Sequence, residues 1–254
     1  MLGSMIHRGA WVALLVPSLA IAQGSGTTST SPLLGITDAG LLRPGRWTYD
    51  TRIVAPGTPP HRISLRTVSV TPSMYAGAPA WLMVDARQTR GVMVVDSLYV
   101  DRRTLAPGRH IAHGSDSDLD LRFTPDSITG SVTSGAAVDH VALANEPPLL
   151  AALFEAEVLT QLLPLSAGWQ GTGKLLTIGP DQKGTVPVGI RVLGEDRASI
   201  PGGSFDCWVV ALTIGSSGER LWVRKSDRAV IRATAPVLGM PDASIELILA
   251  SSKP

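Results

Sequence analysis

The chain has 254 residues, with 22 Lys and Arg against 21 Asp and Glu and a formal net charge of +1 at pH 7. This balance gives no reason to expect nucleic acid or an anionic membrane as an electrostatic partner. Cys207 is the single cysteine, which excludes an internal disulfide, so apolar packing must stabilise the fold. A chain of this length can bury enough apolar surface to fold as one domain.

Residues 1–22 are predicted to be a signal peptide. Arg8 precedes an apolar run over residues 10–21, and Ala20 and Ala22 supply the small residues of a cleavage site. The run is shorter than the ~20 residues that a spanning helix needs, so we expect no transmembrane span in the mature chain. Removal of this segment leaves 21 basic against 21 acidic residues. We therefore expect an exported protein of the periplasm or the extracellular space.

Residues 23–45 are predicted to be a flexible leader. The stretch from Gln23 to Ser31 contains only Gln, Gly, Ser and Thr and has no apolar group to bury. The folded part is expected to begin near Arg46, with residues 46–254 forming a single β-rich domain.

From Arg46 onward, short apolar runs are separated by Gly, Pro and Asp, which is typical of an antiparallel β protein. Trp47, Tyr49 and Ile53 share one face of the first predicted strand. In the second, over residues 61–70, the apolar residues change parity, which predicts a bulge near Thr67. Similar runs continue to residue 143 and resume between residues 174 and 249.

Residues 147–163 break this alternation and predict one long helix. The segment is rich in strong helix formers, a Pro-Pro pair suits its first turn, and Pro164 ends it. Its apolar residues point nearly all round, apart from a narrow stripe of Glu157 and Gln161, so the helix must be covered on most sides. We predict a mainly β fold, a strongly curved antiparallel sheet or half-open barrel of about 11 to 12 strands. The helix is expected to cover its concave face.

Two later hairpin segments resemble a known family. They are Pro201-Gly-Gly-Ser-Phe-Asp-Cys-Trp-Val-Val210 and Leu221-Trp-Val-Arg-Lys-Ser-Asp-Arg-Ala-Val230. They are similar to the "PxGxFxC" strand and following Trp-Val-Ser-x-Asp hairpin of a family of exported bacterial domains of unknown function. That family looks similar in fold to the lipoprotein carriers LolA and LolB, with an unclosed antiparallel barrel and helical cover over an apolar cavity. The resemblance implies an apolar-ligand site and brings no catalytic residues.

The polar motifs do not converge on a catalytic or metal site. His110 and His113 are three apart on a strand, so their rings point to opposite faces, and we interpret both as exposed strand-end residues. The carboxylates from Asp116 to Asp120 fail the calcium-loop pattern and are expected on one wet strand face. Glu155 and Glu157, two apart on a helix, do not face each other. We predict no catalytic residue, no metal and no cofactor.

The apolar residues of two strands and the helix are the candidate ligand site. A curled sheet of this size often encloses a cavity, and the predicted lining residues are Trp81, Met83, Leu153, Phe154, Trp208 and Val210. The alternative is that these side chains pack as an ordinary core. Tyr99 and Trp222 share their faces with polar neighbours and are predicted to be surface cross-strand partners or the rim of the cavity.

These observations predict a non-catalytic exported cell-envelope protein that binds a lipid or another apolar ligand between sheet and helix. Its partner would be a lipid or a lipid-modified protein, and no nucleic acid is expected. The alternative is an interaction or scaffold domain without a ligand cavity. A hydrolase is the least favoured hypothesis, because no convergent set of polar residues supports it. The sequence predicts no oligomeric state.

Overall fold

The computed structural model describes residues 33–253 apart from residues 37, 180–182 and 238. The predicted signal peptide and residues 23–32 of the predicted leader lie outside the described residues. The described residues form fifteen strands, one α-helix and three short 3₁₀ turns. The strands are β1 (Gly45–Val54), β2 (His61–Tyr75), β3 (Ala78–Thr89), β4 (Val92–Asp101), β5 (Pro107–His113), β6 (Ser117–Phe123), β7 (Ser127–Ser134), β8 (Ala137–Ala144), β9 (Leu149–Leu150), β10 (Gln170–Ile178), β11 (Lys183–Ile200), β12 (Gly203–Ile214), β13 (Ser217–Arg224), β14 (Val230–Val237) and β15 (Met240–Lys253).

All fifteen strands belong to one sheet. Its order is β8-β7-β6-β5-β4-β3-β2-β1-β15-β14-β13-β12-β11-β10-β9. Strands β1 and β15 pair at the centre, and each half of the chain extends outward from them as an antiparallel meander. Among the described strands, β9 and β10 are the one parallel pair. The predicted class, a mainly β fold built on a curved and unclosed sheet, is confirmed, and its strands outnumber the expected 11 to 12.

The sheet rolls until its two edges approach each other. Edge strands β8 and β9 are joined by residues 145–148, and side chains bridge the two edge regions. The Lys174 ammonium lies 2.6 Å from the Glu146 carboxylate, and Lys183 pairs with Asp139 and donates to the His140 carbonyl oxygen at 3.1 Å. The seam is therefore bridged by side chains, while no described strand pairs with the outer backbone edge of β8.

The helix lies on the concave side of the sheet, as predicted, but it is much shorter than predicted. It runs over Leu153–Leu159 (α1) and continues as a 3₁₀ turn over Thr160–Leu162. The predicted first turn is not helical, because a residue before proline disfavours the α region and Pro148 cannot donate a backbone hydrogen bond. Leu149 and Leu150 instead pair with β10. At the other end, Arg228 donates to the carbonyl oxygens of Gln161 and Leu163 at 2.9 and 3.1 Å.

The last part of the predicted leader is folded, which corrects the expectation of a flexible segment over residues 23–45. Leu34 is completely buried and Leu42 is 1% exposed. A Cβ added to Gly171 would lie 2.4 Å from the Leu34 carbonyl oxygen, so the segment lies directly against β10. The sequence prediction failed because the apolar residues between 34 and 42 follow neither a strand nor a helix period.

The inward-facing side chains of the strands, the helix and residues 34–42 form one continuous apolar core. Cys207 is fully buried in it, as predicted, and burial raises the pKa of its thiol. Among the described residues, no helix is both long and apolar enough to cross a membrane.

Leu34→Ala should lower the free energy of unfolding by about 2–4 kcal/mol, because it removes apolar burial and leaves a cavity. Leu41→Ala is the matched control: it lies in the same segment, is 45% exposed and should change stability by less than about 0.5 kcal/mol. Urea unfolding followed by tryptophan fluorescence measures both. Equally small effects would show that residues 34–42 do not pack on the domain.

Candidate functional site

Four of the six predicted lining residues lie in the core. Trp81, Met83, Phe154 and Val210 are at most 3% exposed. A side chain that lined a ligand-sized cavity would keep surface accessible to a water-sized sphere, and these side chains keep almost none. They pack as an ordinary core, which was the alternative interpretation.

Leu153 and Trp208, the other two predicted lining residues, do not line an enclosed space with them. Leu153 begins the helix and is 39% exposed. Trp208 is partly buried, and the Lys225 ammonium lies 4.7 Å from the centre of its ring. The structure therefore does not bring the six residues together around one cavity.

The space between α1 and the sheet is nearly filled. A cavity of about 10 Å³ remains there, which holds at most one water molecule. Its walls are Trp47, Tyr49, Val68, Glu157, Val158, Gln161 and Val230. An acyl chain does not fit between helix and sheet in this conformation.

Tyr99 and Trp222 lie on the outer face of the sheet. Trp222 has Arg232 directly opposite on the adjacent strand, whereas Tyr99 on β4 contacts Tyr75 of β2, and β3 lies between these two strands. The Tyr99 ring stacks on Tyr75 with 5.4 Å between centroids. Trp222 is only 8% exposed; its indole N–H donates to Asp196 at 3.0 Å, and the Arg232 guanidinium lies 4.8 Å from its ring. Neither residue forms the rim of an interior cavity.

A stripe of polar side chains crosses the inner face of five adjacent strands. Tyr49, Arg66, Asp85, Asp96 and His110 come from β1 to β5 in order. Tyr49 is directly opposite Arg66, and Asp85 is directly opposite Asp96. The Arg66 to Asp85 and Asp96 to His110 contacts are diagonal ones. We call these five residues the inner polar stripe.

Arg66 connects the inner polar stripe to the helix. Its Nε donates to Asp85 at 2.9 Å, and its Nη1 lies 2.8 Å from a carboxylate oxygen of Glu157 on α1. Burial disfavours the charged guanidinium, but the two carboxylates more than offset this, so the pKa of Arg66 lies above its ordinary value.

The predicted bulge near Thr67 is wrong, because Thr67 pairs regularly with both neighbouring strands. The parity change arose because a charged residue, Arg66, occupies an inward position.

His110 and Asp96 form a mostly buried pair at the other end of the stripe. The His110 Nε2 lies 2.6 Å from an Asp96 carboxylate oxygen, and the His110 side chain is 9% exposed. Among the described residues its Nδ1 has no hydrogen-bond partner, so no hydroxyl or thiol is placed for His110 to activate. The expectation that His110 and His113 do not converge is confirmed, but His110 is not an exposed strand-end residue. His113 is exposed and contacts Asp118 at 2.8 Å.

Glu155 is fully buried at the start of α1. It occupies the third helical position, from which a glutamate can reach back to the free N–H groups of the helix start. One oxygen accepts from the Ala151 N–H at 2.8 Å, and the other has no partner among the described residues. Burial raises the pKa of Glu155 to about 8, against the lowering effect of the Ala151 and Ala152 N–H groups, and the charge of Asp96 raises it further. Glu155 is therefore largely protonated at neutral pH.

Glu219 on β13 also faces this interior. Its burial raises its pKa to about 8, and the charge of Glu157 adds to the effect, while Arg66 opposes it. The side chain is only partly withdrawn from solvent, so its effect on stability is weaker than that of Glu155. The interior thus holds more carboxyl groups than Arg66 can neutralise.

The described residues contain no cluster of three or more His, Cys, Asp or Glu side chains arranged to hold a metal ion. In the segment that faintly resembles a calcium loop, Asp118 contacts His113 and Asp120 receives two hydrogen bonds from Arg109 at 2.9 and 2.8 Å. The carboxylates of Asp118 and Asp120 are therefore already paired with side chains of the neighbouring strand β5.

A groove of about 480 Å³ lies across β12 to β15. Its exposed or partly exposed lining residues include Ala211, Thr213, Arg220 and Thr234, which share the outer face of the sheet with Trp222. The groove is open and mixed in polarity, and Glu219 and the buried Leu212 are also among its lining residues.

The fold and its interior define a barrel-like β domain with a short helix packed inside it. The chain belongs to the family described as "Protein of unknown function (DUF3108)", whose model matches residues 49–244. No curated protein matches the sequence. The predicted membership of a family of unknown function is thus confirmed in this general form, and the likeness to LolA and LolB stays a prediction.

Solved structures of similar fold include the following one. It is described as the crystal structure of a β-barrel-like protein of the domain of unknown function DUF1849 from Brucella abortus. The two chains share 10% sequence identity with a TM-score of 0.53, over 84% of this chain and 98% of that chain. At this identity the similarity shows the fold alone.

Glu155→Gln should make the protein more stable at alkaline pH. The pKa of Glu155 is about 8 in the folded protein against an ordinary value of 4.5. Between these values the folded state binds more protons than the unfolded state, so the free energy of unfolding falls as the pH rises. A glutamine cannot ionise, and its amide oxygen can still accept from Ala151. The variant should be more stable than the native protein by about 1–3 kcal/mol above about pH 8, and about equal to it near pH 4.5.

Glu157→Gln is the matched control on the same helix, and its effect should have the opposite sign. It leaves Arg66 with one of its two carboxylates and should destabilise the protein by about 2 kcal/mol or more. Urea unfolding of both variants at about pH 5 and about pH 8.5 makes the comparison. Destabilisation of similar size by both substitutions at the higher pH would contradict the assignment of Glu155 as a protonated, unpaired group.

Proposed function

We propose that this chain is a non-catalytic, exported cell-envelope domain that acts as an interaction scaffold. The observation that carries the proposal is the packed interior: Phe154, Val158 and Leu159 of α1 are at most 3% exposed, and the cavity beside Glu157 and Val158 measures about 10 Å³. A domain that enclosed a lipid at this place would need a cavity at least the size of an acyl chain. A solid core favours the scaffold alternative over an enclosed apolar ligand.

The chemistry of the interior also supports a non-catalytic role. Arg66, Asp85 and Glu157 satisfy one another at hydrogen-bond distances. One carboxylate oxygen of Glu155 accepts from the Ala151 N–H beside the helix start, and the side-chain hydrogen bond of His110 among the described residues is to Asp96. These contacts position the helix, and within the described part of the chain they pair His110 and the interior carboxyl groups with no hydroxyl or thiol. The surfaces open to a partner are the outer face of the sheet and the free edge of β8.

Native mass spectrometry of the protein recovered from the envelope of expressing cells tests this proposal. The main species should have the mass of residues 23–254 without an adduct, because the signal peptide has been removed and the interior holds no ligand. Addition of phosphatidylglycerol in detergent should produce no species with one lipid per chain. The matched control is an established lipid carrier taken through the same purification, which should retain its lipid.

A stoichiometric lipid adduct would overturn the scaffold proposal, and a mass that includes residues 1–22 would overturn the proposed export with cleavage. The two readouts are independent, so one part of the proposal can fail while the other stands.

A further inference from the structure

One end of the rolled sheet carries a repeating pattern of apolar hairpin tips. Because successive strands run in opposite directions, the β1–β2, β3–β4, β5–β6, β7–β8, β12–β13 and β14–β15 connections all lie at the same end of the sheet. We call this end the lower rim. The β2–β3 and β13–β14 connections lie at the opposite end.

Half of the large apolar side chains exposed among the described residues are on the lower rim. They are Val92 and Met93 beside the β3–β4 turn, Val138 beside the β7–β8 turn, and Met240 beside the β14–β15 turn, and they are 42–59% exposed. The other four are Leu41, Met74, Leu153 and Leu193, which are spread over four separate places in the fold.

The three apolar tips are separated by two equal intervals along the sheet, and the third interval, across β13 to β9 and the seam, is longer. In the order of the sheet, four strand spacings separate the β7–β8 hairpin from the β3–β4 hairpin, and four separate that hairpin from the β14–β15 hairpin. At ~4.8 Å between strands, each interval is roughly 19 Å along the sheet. The hairpin tips between them are polar or small, with Gly114, Ser115 and Asp116 in the first interval and the loop around Gly57 in the second.

The charges near these tips are few. Asp139, next to Val138, is paired with Lys183. Arg90 beside Val92 is exposed, and a long arginine side chain can keep its charged end in water while its stem contacts an apolar phase. Asp242, two residues after Met240, is exposed and limits the depth that this tip can reach.

We propose that the lower rim docks on the surface of a phospholipid bilayer, with Met93, Val138 and Met240 entering the boundary between headgroups and acyl chains. A protein partner would need a contiguous complementary patch, whereas a lipid surface accepts separated apolar side chains in any arrangement. Three points around a curved rim define a plane, so the contact would fix the orientation of the domain. Because the chain is nearly neutral overall, apolar contact rather than charge provides the attraction.

This proposal goes beyond the proposed scaffold function and does not depend on it. The interior stays filled, and the domain stays peripheral to the bilayer. A lipid held inside the sheet would appear as a one-to-one adduct in native mass spectrometry, whereas rim docking needs intact vesicles. The two proposals can therefore fail separately.

Flotation of the purified mature chain with phosphatidylcholine vesicles tests the docking. The tip variant carries Met93→Ser, Val138→Ser and Met240→Ser; the control variant carries Leu41→Ser and Met74→Ser, which remove equally exposed side chains away from the lower rim. The native protein and the control should float with the vesicles, and the tip variant should partition about tenfold less. Native binding should change by less than about twofold between about 0.1 M and about 0.5 M NaCl, because screening affects charge contacts.

Three results would overturn the proposal: no flotation of the native protein, equal loss in the control variant, or loss of binding at the higher salt. Melting curves of all three proteins show whether folding is intact. If the triple substitution unfolds the chain, the single variants Met93→Ser and Met240→Ser replace it, and each should show an intermediate loss.

Discussion

The bridge from Arg66 to Asp85 and Glu157 is the contact on which the rest of this structure depends. A helix of seven residues has little stability of its own, so tertiary contacts must hold it. Arg66 joins the floor of the sheet to the middle of this helix with charge-assisted hydrogen bonds in a buried setting. Breaking one side of such a bridge leaves a buried charge without its partner, which is costly. The bridge therefore fixes the helix at one place inside the sheet.

The position of the helix determines what the domain can do. With Phe154, Val158 and Leu159 packed against the sheet, the volume that a half-open barrel could offer to a ligand is filled by side chains of the same chain. The rolled sheet then serves as a rigid support, with a seam bridged by Lys174 and Lys183 and hairpins projecting from both ends. Functional surfaces must accordingly lie outside the sheet, on its free edge, its outer face or its rims.

Much of the fold could be predicted from the sequence, because alternation of apolar residues reports one-sided burial of strands directly. The interior polar residues could not be predicted in this way. Arg66 and Asp85 point inward among apolar neighbours, whereas an argument from periodicity places charged residues on the outward face. The inward position of Arg66 therefore produces a parity change in the apolar pattern that resembles a β-bulge. The strand spacing of His110 and His113 places their rings on opposite faces, but it does not tell which face is buried, and the buried one carries His110. The buried turns at residues 34–42 were missed because their apolar residues follow no period, and the length of the helix was overestimated because propensity at Leu149 and Leu150 competes with strand pairing.

The central claim is that α1 is a fixed part of the core and not a mobile cover. Native-state hydrogen exchange of the helix amides is its most direct test. If the Arg66 bridge and the packing hold the helix in place, the protected amides of α1 should exchange with the same free energy of opening as the amides of β1, β2 and β3. Both should follow the global unfolding free energy as denaturant is added. If the helix amides exchange with an opening free energy about 3 kcal/mol or more below that of the strands, and with little dependence on denaturant, the helix opens separately. That result would contradict the claim and return an apolar cavity to consideration.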